Sequence, residues 1–144
     1  MIGLVGLTIA AGGFVAGTRA GLTYNTFPLM DGRVIPPSYA QLDPFFRNWF
    51  ENIPAIQFDH RLLAEMTFAV VLALAVCGPR RLSDRPARTA LWALFAAVII
   101  QAALGISTLL LVVPIPLAAA HQAGAVILLT AAIVFRHTLR PLRS

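Results

Sequence analysis

The sequence predicts an all-α membrane protein, a bundle of four transmembrane helices. Of the 144 residues, 58% are hydrophobic and 12% are charged, whereas soluble domains carry about 25% charged residues. The apolar residues are gathered into four long runs. The net charge of +5 sits in short clusters between those runs. This pattern indicates membrane topology and argues against a nucleic-acid-binding surface.

Four segments reach the roughly 17–25 mostly apolar residues that a spanning helix needs. We expect the spans at residues 1–17, 56–77, 90–113 and 117–135. The first begins at Met1 without the basic residues of a signal peptide, so we interpret it as a true span. Within it, Gly13 and Gly17 have the small-x-x-x-small spacing that lets helix backbones approach each other.

The arginines predict the orientation of these spans. The loop 78–90 contains four arginines and one acidic residue. The C-terminal tail contains Arg136, Arg140 and Arg143. Because cytoplasmic loops are enriched in Arg and Lys, we expect that loop and both termini to be cytoplasmic. The long loop 18–55, in which three arginines are balanced by three acidic residues, then lies outside.

Within the outer loop, residues 43–53 are predicted to form a short interfacial helix. Asp43 can cap this helix, and Pro54 should end it. Arg47 and Glu51 can pair on one face. The other face carries four aromatic residues: Phe45, Phe46, Trp49 and Phe50. Such a face suits the membrane–water boundary, so the helix is either an anchor or a lid over a site.

Two of the three histidines begin spans on the outer side. His60 opens the second span and His121 opens the fourth. Counted from the inner ends of the spans, their imidazoles lie roughly 30 and 22 Å up. Two imidazoles on two helices suit bis-histidine ligation of a haem; the alternative is that both bind loops at the interface. His137, beside Arg136, is interpreted as part of a solvated helix end.

Two polar residues inside spans, Glu65 and Gln101, also require an explanation, because polar groups are costly there. For Glu65 we favour pairing with a neighbouring helix over a catalytic role. In the third span, Gly105 and Ser107 offer a second place where helices could approach closely.

Three stretches are similar to the haem A synthase family: "AGTRAGLTYNTFPLMDGRVIPP" (16–37), "QFDHRLLAE" (57–65) and "AAAHQAGAVILLTAA" (118–132). They resemble the C-terminal half of the form found in mitochondria and many proteobacteria, over essentially the whole chain. The resemblance implies half of a pseudo-symmetric eight-helix enzyme. Such enzymes oxidise a ring methyl group of haem O to a formyl group, giving haem A for cytochrome oxidases.

The resemblance also implies a cofactor and its ligands. Each half of these enzymes has a histidine pair, and the C-terminal pair holds haem b. By that resemblance, His60 and His121 are the metal-binding axial ligands. In the family's N-terminal half, a glutamate three residues before the first histidine is implicated in the reaction. Here the corresponding residue is Gln57, which shares a helical face with His60 and is therefore expected to bind the same cofactor. Its amide cannot exchange a proton at ordinary pH.

The charged neighbours of His60 are expected to anchor and not to catalyse. Arg61 is interpreted as a partner for a haem propionate, or for Asp31 or Asp43. Asp59 is adjacent to His60 and therefore points to a different helical face. No residue of this chain is accordingly expected to be catalytic.

The resemblance finally implies where the protein works and with what. We expect it in the bacterial or mitochondrial inner membrane, in contact with lipid, and inactive without the N-terminal half or a second copy. Haem O synthase is a further implied partner, and nucleic acid is not expected. The alternative kept open is a non-enzymatic four-helix membrane cytochrome b that transfers electrons.

Overall fold

Four long helices and one short helix make up most of the chain. The computed structural model describes residues 1–139, so Arg140 and Arg143 of the predicted basic tail lie outside the described residues. The helices are α1 (Ile2–Thr18), α2 (Asn48–Glu51), α3 (Ile53–Cys77), α4 (Arg85–Leu110) and α5 (Ile115–Thr138). Within residues 1–139 no β-strand occurs, and the predicted all-α class is confirmed.

Three of these helices are long and apolar enough to cross a membrane. They are α3, α4 and α5, with 25, 26 and 24 residues. The fourth apolar helix, α1, has 17 residues, which at 1.5 Å per residue reach about 25 Å. The hydrocarbon core of a bilayer is about 30 Å thick. The chain is therefore an integral membrane protein with three full-length spans and one shorter apolar helix.

The three long helices begin earlier than their apolar runs predict. Each has a proline in its first turn, where the fixed φ and the missing N–H are tolerated. Pro54, expected to end the interfacial helix, instead lies in the first turn of α3. The Asn52 side chain caps that helix by accepting a hydrogen bond from the Ala55 N–H at 3.3 Å. Each span thus gains polar or proline residues at its start.

The long helices form a bundle of two side-by-side pairs. α1 packs along α3, and α4 packs along α5. The pairs are joined where α3 contacts α4 and where α1 contacts α5. In the described part of the chain, α3 and α5 make almost no direct contact with each other. The two histidine-bearing helices are therefore diagonal to one another.

Large apolar side chains are packed mainly at one end of this bundle. The buried cluster includes Val5, Val71, Leu91, Leu94, Leu128 and Phe135. These residues come from the start of α1, the end of α3, the start of α4 and the end of α5. They mark the end that carries residues 78–84, the connection between α3 and α4. Lipid tails are as apolar as leucine, so the hydrophobic effect does not drive these helices together. Their association depends instead on close van der Waals packing of such side chains.

The turn between α4 and α5 has an unusual backbone. Val112 and Val113 have φ values of 60° and 57°, a left-handed conformation that costs an L-residue roughly 1–2 kcal/mol. The Val113 N–H donates to the Thr108 carbonyl oxygen at 2.7 Å. This bond satisfies a carbonyl that the end of α4 would otherwise leave free.

The outer segment before α3 is held by two asparagines. Asn48 is fully buried, and its side chain donates to the carbonyl oxygens of Leu42 at 2.9 Å and Phe45 at 2.8 Å. Its Oδ1 accepts from the Asn52 amide at 2.8 Å. This network makes a compact turn in which only residues 48–51 are α-helical.

The predicted interfacial helix is thus shorter than expected. A 3₁₀ turn, Phe45–Arg47, leads into α2, and no side chain caps that turn, so the expected capping role of Asp43 is wrong. The Arg47–Glu51 pair is present, with 2.6 Å between Nη2 and Oε2. The four aromatic side chains are about half exposed, as an interfacial surface requires.

Candidate functional site

The imidazole of His60 lies against the backbone of α1. Its Nδ1 is 3.2 Å from the Thr8 carbonyl oxygen. Because a carbonyl oxygen can only accept, Nδ1 carries the proton and Nε2 keeps its lone pair. A Cβ added at Gly12 would lie 3.0 Å from His60 Cε1. His60 is therefore oriented by α1, with the nitrogen suited to a metal left free.

The imidazole of His121 lies against α4 in a similar way. A Cβ added at Gly105 would lie 2.8 Å from His121 Cε1 and 3.4 Å from its Nδ1. The Gln101 side-chain amide donates to the His121 carbonyl oxygen at 2.9 Å. Among residues 1–139, the buried Nδ1 of His121 has no hydrogen-bond partner. Each histidine thus packs on a glycine of the helix beside its own.

The two histidines lie at the same level of the bundle. His60 is 17 residues before the end of α3 at Cys77, and His121 is 17 residues before the end of α5 at Thr138. Both are therefore roughly 25 Å above those ends. The unequal heights expected from the sequence are wrong: α3 ends at Cys77, so His60 lies lower than the roughly 30 Å expected, and α5 continues three residues beyond its apolar run, so His121 lies higher.

This donor set fits a haem better than a bare metal ion. Of the residues that the structure describes, none form a group of three or more His, Cys, Asp or Glu side chains able to hold a metal. Structural and catalytic zinc sites use three or four protein ligands, which His60 and His121 cannot supply. A haem iron takes four ligands from its porphyrin and needs only two axial groups. Gly12 and Gly105 have no side chain that would crowd the two imidazoles. Among the described residues, the buried Nδ1 of His121 has no hydrogen-bond partner, as expected of a polar site that a bound group would complete.

Gln57 is a clamp on the outer loop. It is only 2% exposed. Its Nε2 donates to the Tyr24 carbonyl oxygen at 3.0 Å, and its Oε1 accepts from the Tyr24 N–H at 3.2 Å. The sequence predicted that this amide shares the face of His60 and binds the cofactor. Its hydrogen bonds instead go to the backbone of Tyr24.

Arg61 binds the same loop and not an acidic residue. Its guanidinium donates to the Tyr24 carbonyl oxygen at 2.7 Å and to the Thr26 carbonyl oxygen at 2.9 Å. Within residues 1–139 it forms no ion pair with Asp31 or Asp43, so that part of the prediction is wrong. The guanidinium donates to the carbonyl oxygens of the loop instead of to a carboxylate. Among the residues that the structure describes, the buried N–H at Nε finds no hydrogen-bond partner.

The loop is tethered at its other side as well. The Asn25 side chain donates to the carbonyl oxygens of Gly21 and Leu109, both at 2.9 Å. Leu109 is near the end of α4, whereas Gln57 and Arg61 are near the start of α3. Residues 24–26 therefore connect two helices across the histidine-bearing end of the bundle.

Asp59 points away from His60, as its neighbouring position predicts. The Tyr39 hydroxyl donates to Asp59 Oδ1 at 2.8 Å, and the Tyr39 ring contacts Phe58 edge-on with centroids 5.2 Å apart. Burial raises the pKa of Tyr39, and the Asp59 carboxylate adds to the increase. Asp59 is thus an anchor for the outer segment.

Three further predictions are corrected or kept. Glu65 is exposed and makes no hydrogen bond or ion pair with any residue the structure describes, so the predicted pairing with a neighbouring helix is wrong. Among described residues, nothing lies within 4 Å of a Cβ added at Gly13 or Gly17, so the close approach expected there does not occur. His137 is exposed in the last turn of α5, as expected.

Thr8 and Gly12 are the residues of the site that the sequence did not reveal. Gly12 stands beside Gly13, and a motif of small residues does not say which of two adjacent glycines faces a partner. The contact with His60 depends on how α1 is rotated in the bundle. Only the packing of α1 on α3 fixes that rotation.

Comparison with known proteins gives a consistent family. The family model described as a cytochrome oxidase assembly protein, COX15-CtaA, matches residues 1–133. A haem A synthase of Granulibacter bethesdensis is 57% identical over 139 residues, which are 96% of this chain and 36% of that protein. The haem A synthase of Nitrosospira multiformis is 52% identical, covering 95% of this chain and 38% of that protein.

The likeness extends to a human protein. The human haem A synthase COX15 is 44% identical over 138 residues, covering 96% of this chain and 34% of that protein. The chain therefore spans about a third of the length of the curated relatives it matches. No solved structure matches it.

Proposed function

The chain belongs to the COX15-CtaA family of cytochrome oxidase assembly proteins, and from this premise we propose that it is the haem b-binding half of a haem A synthase. In this proposal His60 and His121 would hold the haem iron. The observation that carries it is their placement on diagonal helices at the same level, each ring against a glycine. Haem b bound there would supply one-electron transfer.

The residues around the ligands have distinct tasks in this proposal. The Thr8 carbonyl holds the proton of His60 on Nδ1, so the lone pair of Nε2 would be the one to bind the iron. The unpartnered Nε–H of Arg61 is available to a propionate, because a guanidinium donates strongly to carboxylates. Residues 24–26, held by Gln57 and Arg61, cover the ends of α3 and α4. They limit access of water from that side.

The oxidation itself requires more than this chain. We propose that the complete enzyme converts haem O to haem A by oxidising a ring methyl group to a formyl group. No carboxylate takes the place of Gln57, and its amide is committed to Tyr24. The chain covers only 34–38% of the relatives cited above, and in this proposal the catalytic residues belong to the N-terminal half of the complete enzyme. This chain alone is then catalytically inactive, and the proposed assembly is inserted with both termini cytoplasmic.

A reduced-minus-oxidised absorption spectrum of the purified chain tests the ligation. We expect a b-type low-spin spectrum that is lost in His60→Ala and in His121→Ala. His137→Ala is the matched control and should leave the spectrum unchanged. Unaltered low-spin haem in His60→Ala would contradict the assignment.

A coexpression experiment separates the synthase from the electron-transferring cytochrome b. The chain is produced in a host that makes haem O, with and without the N-terminal half of a relative. Extraction and chromatography then identify the haems. We expect haem A only when both halves are present. Haem A in neither case would favour the cytochrome, and haem A with this chain alone would mean that two copies carry the full reaction.

A further inference from the structure

We propose that a polar residue and a glycine four positions later form a seat for each imidazole, on the helix that packs beside the histidine-bearing helix. The seats are Thr8 with Gly12 on α1 and Gln101 with Gly105 on α4. Residues four apart share one face of a helix. This inference rests on the proposed haem ligation, and it names the residues that set the position of each ligand.

The first seat fixes both the ring and the helix that carries it. The Thr8 carbonyl oxygen accepts from His60 Nδ1 at 3.2 Å, and Gly12 lets the ring edge reach the α1 backbone. The Thr8 hydroxyl also lies 2.9 Å from the Thr67 hydroxyl and 3.3 Å from the Leu63 carbonyl oxygen. Thr67 is seven residues after His60, on the same face of α3. One turn of α1 therefore clamps α3 next to the ligand.

The second seat also has a polar residue followed four positions later by a glycine, but its hydrogen bond comes from a side chain and not from a main-chain carbonyl. Gln101 donates to the main-chain oxygen of His121 at 2.9 Å, so it fixes the backbone of the ligand and not its ring. Gly105 receives the ring edge, at 2.8 Å from an added Cβ. Gly124 in turn makes room for Gln101, because a Cβ there would collide with the Gln101 side-chain oxygen.

The glycines matter because of what an added methyl group would meet. The nearest atoms to a Cβ at Gly12 and Gly105 are imidazole atoms of His60 and His121, not backbone. Carbon atoms pack at about 3.5–4.0 Å, so each ring would have to move by roughly 0.5–1 Å. Metal–ligand distances hold to about 0.2 Å. An alanine at either position should therefore weaken ligation while leaving the ligand in the chain.

Gly13 provides a matched control on the same helix. It is adjacent to Gly12, and nothing among the described residues lies within 4 Å of a Cβ added there. Gly12→Ala and Gly13→Ala bring the same gain in helix propensity. They differ in one respect, which is the contact with His60.

The test compares the wild-type chain with Gly12→Ala, Gly13→Ala and Gly105→Ala, purified in the same detergent. Haem per polypeptide, the reduced-minus-oxidised spectrum and the midpoint potential are measured, with helix content and melting by circular dichroism. We expect Gly13→Ala to match the wild type. Gly12→Ala and Gly105→Ala should retain haem about tenfold more weakly, the usual effect of losing a partner that orients a metal ligand. Gly105→Ala should be the more severe because its contact is closer.

The outcomes separate this inference from the proposed function. A wild-type chain without low-spin haem overturns both. Low-spin haem in the wild type, with Gly12→Ala and Gly105→Ala equal to Gly13→Ala, overturns the seats and leaves the ligation standing. If an alanine variant loses helix content, Gln101→Met decides for the second seat, because it removes the hydrogen bond without adding bulk. A midpoint potential and haem retention in Gln101→Met identical to wild type would overturn that seat.

Discussion

Gln57→Glu is the substitution that most directly tests whether position 57 holds the loop or serves the reaction. The introduced carboxylate still accepts from the Tyr24 N–H. Its second oxygen replaces Nε2, the atom that donates to the Tyr24 carbonyl oxygen at 3.0 Å. Loss of that bond costs about 1 kcal/mol, and an unpaired buried oxygen, at a residue 2% exposed, costs about 1–3 kcal/mol more. We expect a total destabilisation of about 2–4 kcal/mol and no gain of haem A formation.

The assay follows the loop and the whole chain separately. Hydrogen exchange of the peptide that contains Tyr24 should become faster, because its N–H and carbonyl oxygen are held less tightly. Denaturant unfolding in detergent gives the free-energy change. Gln41→Glu, at an exposed position of the same outer segment, is the matched control for the added charge. Equal exchange and equal stability of the two variants would refute the role of Gln57 as a clamp.

Three further substitutions test other features. Val112→Asn should stabilise the chain by up to about 1 kcal/mol relative to Val112→Ala, because asparagine tolerates the left-handed backbone; equal melting of the two would contradict the strain. Asn48→Ala should destabilise by about 2–4 kcal/mol, since it leaves the partly buried Leu42 N–H and carbonyl oxygen without their side-chain partner, and should speed proteolysis of the outer segment. Tyr39→Phe should reduce the fall in the free energy of unfolding at alkaline pH. Because the pKa of Tyr39 is raised in the folded chain, its contribution to stability is present below pH 10 and is lost as the pH rises further. An unchanged alkaline pH dependence would count against the Tyr39–Asp59 bond.

The parts of the fold that were predictable are those that depend on the membrane. Apolar runs of sufficient length identify spans because the bilayer imposes that length, and three of the four runs became full-length helices. The helix starts were less predictable. Asn52 and the prolines of the first turns do not belong to the apolar runs. Hydropathy therefore places the start of each long helix a few residues too late. The unequal heights expected for His60 and His121 have a different cause, because they were counted from the C-terminal ends of the spans, which the apolar runs also locate imprecisely.

The parts of the site that were not predictable depend on helix rotation and on the loop. Helical periodicity puts Gln57 and His60 on neighbouring positions of one face. It cannot predict that the Gln57 amide forms its hydrogen bonds with the backbone of Tyr24. The partner of Arg61 was missed for the same reason, because backbone carbonyls carry no signal in the sequence. Gly12 was passed over in favour of Gly13 because adjacent glycines look alike until the helix is packed.

The pairing of α1 with α3, and of α4 with α5, has a consequence for biogenesis. Each pair is continuous in the chain, and each contains one histidine together with the residues that support it. The first half-site can therefore be complete once α3 has entered the bilayer, before the ribosome has supplied α4. A break within residues 78–84, where the two pairs are joined, would leave both half-sites intact on separate polypeptides. Under the proposed ligation, a haem held by both histidines would then bridge two independently inserted hairpins.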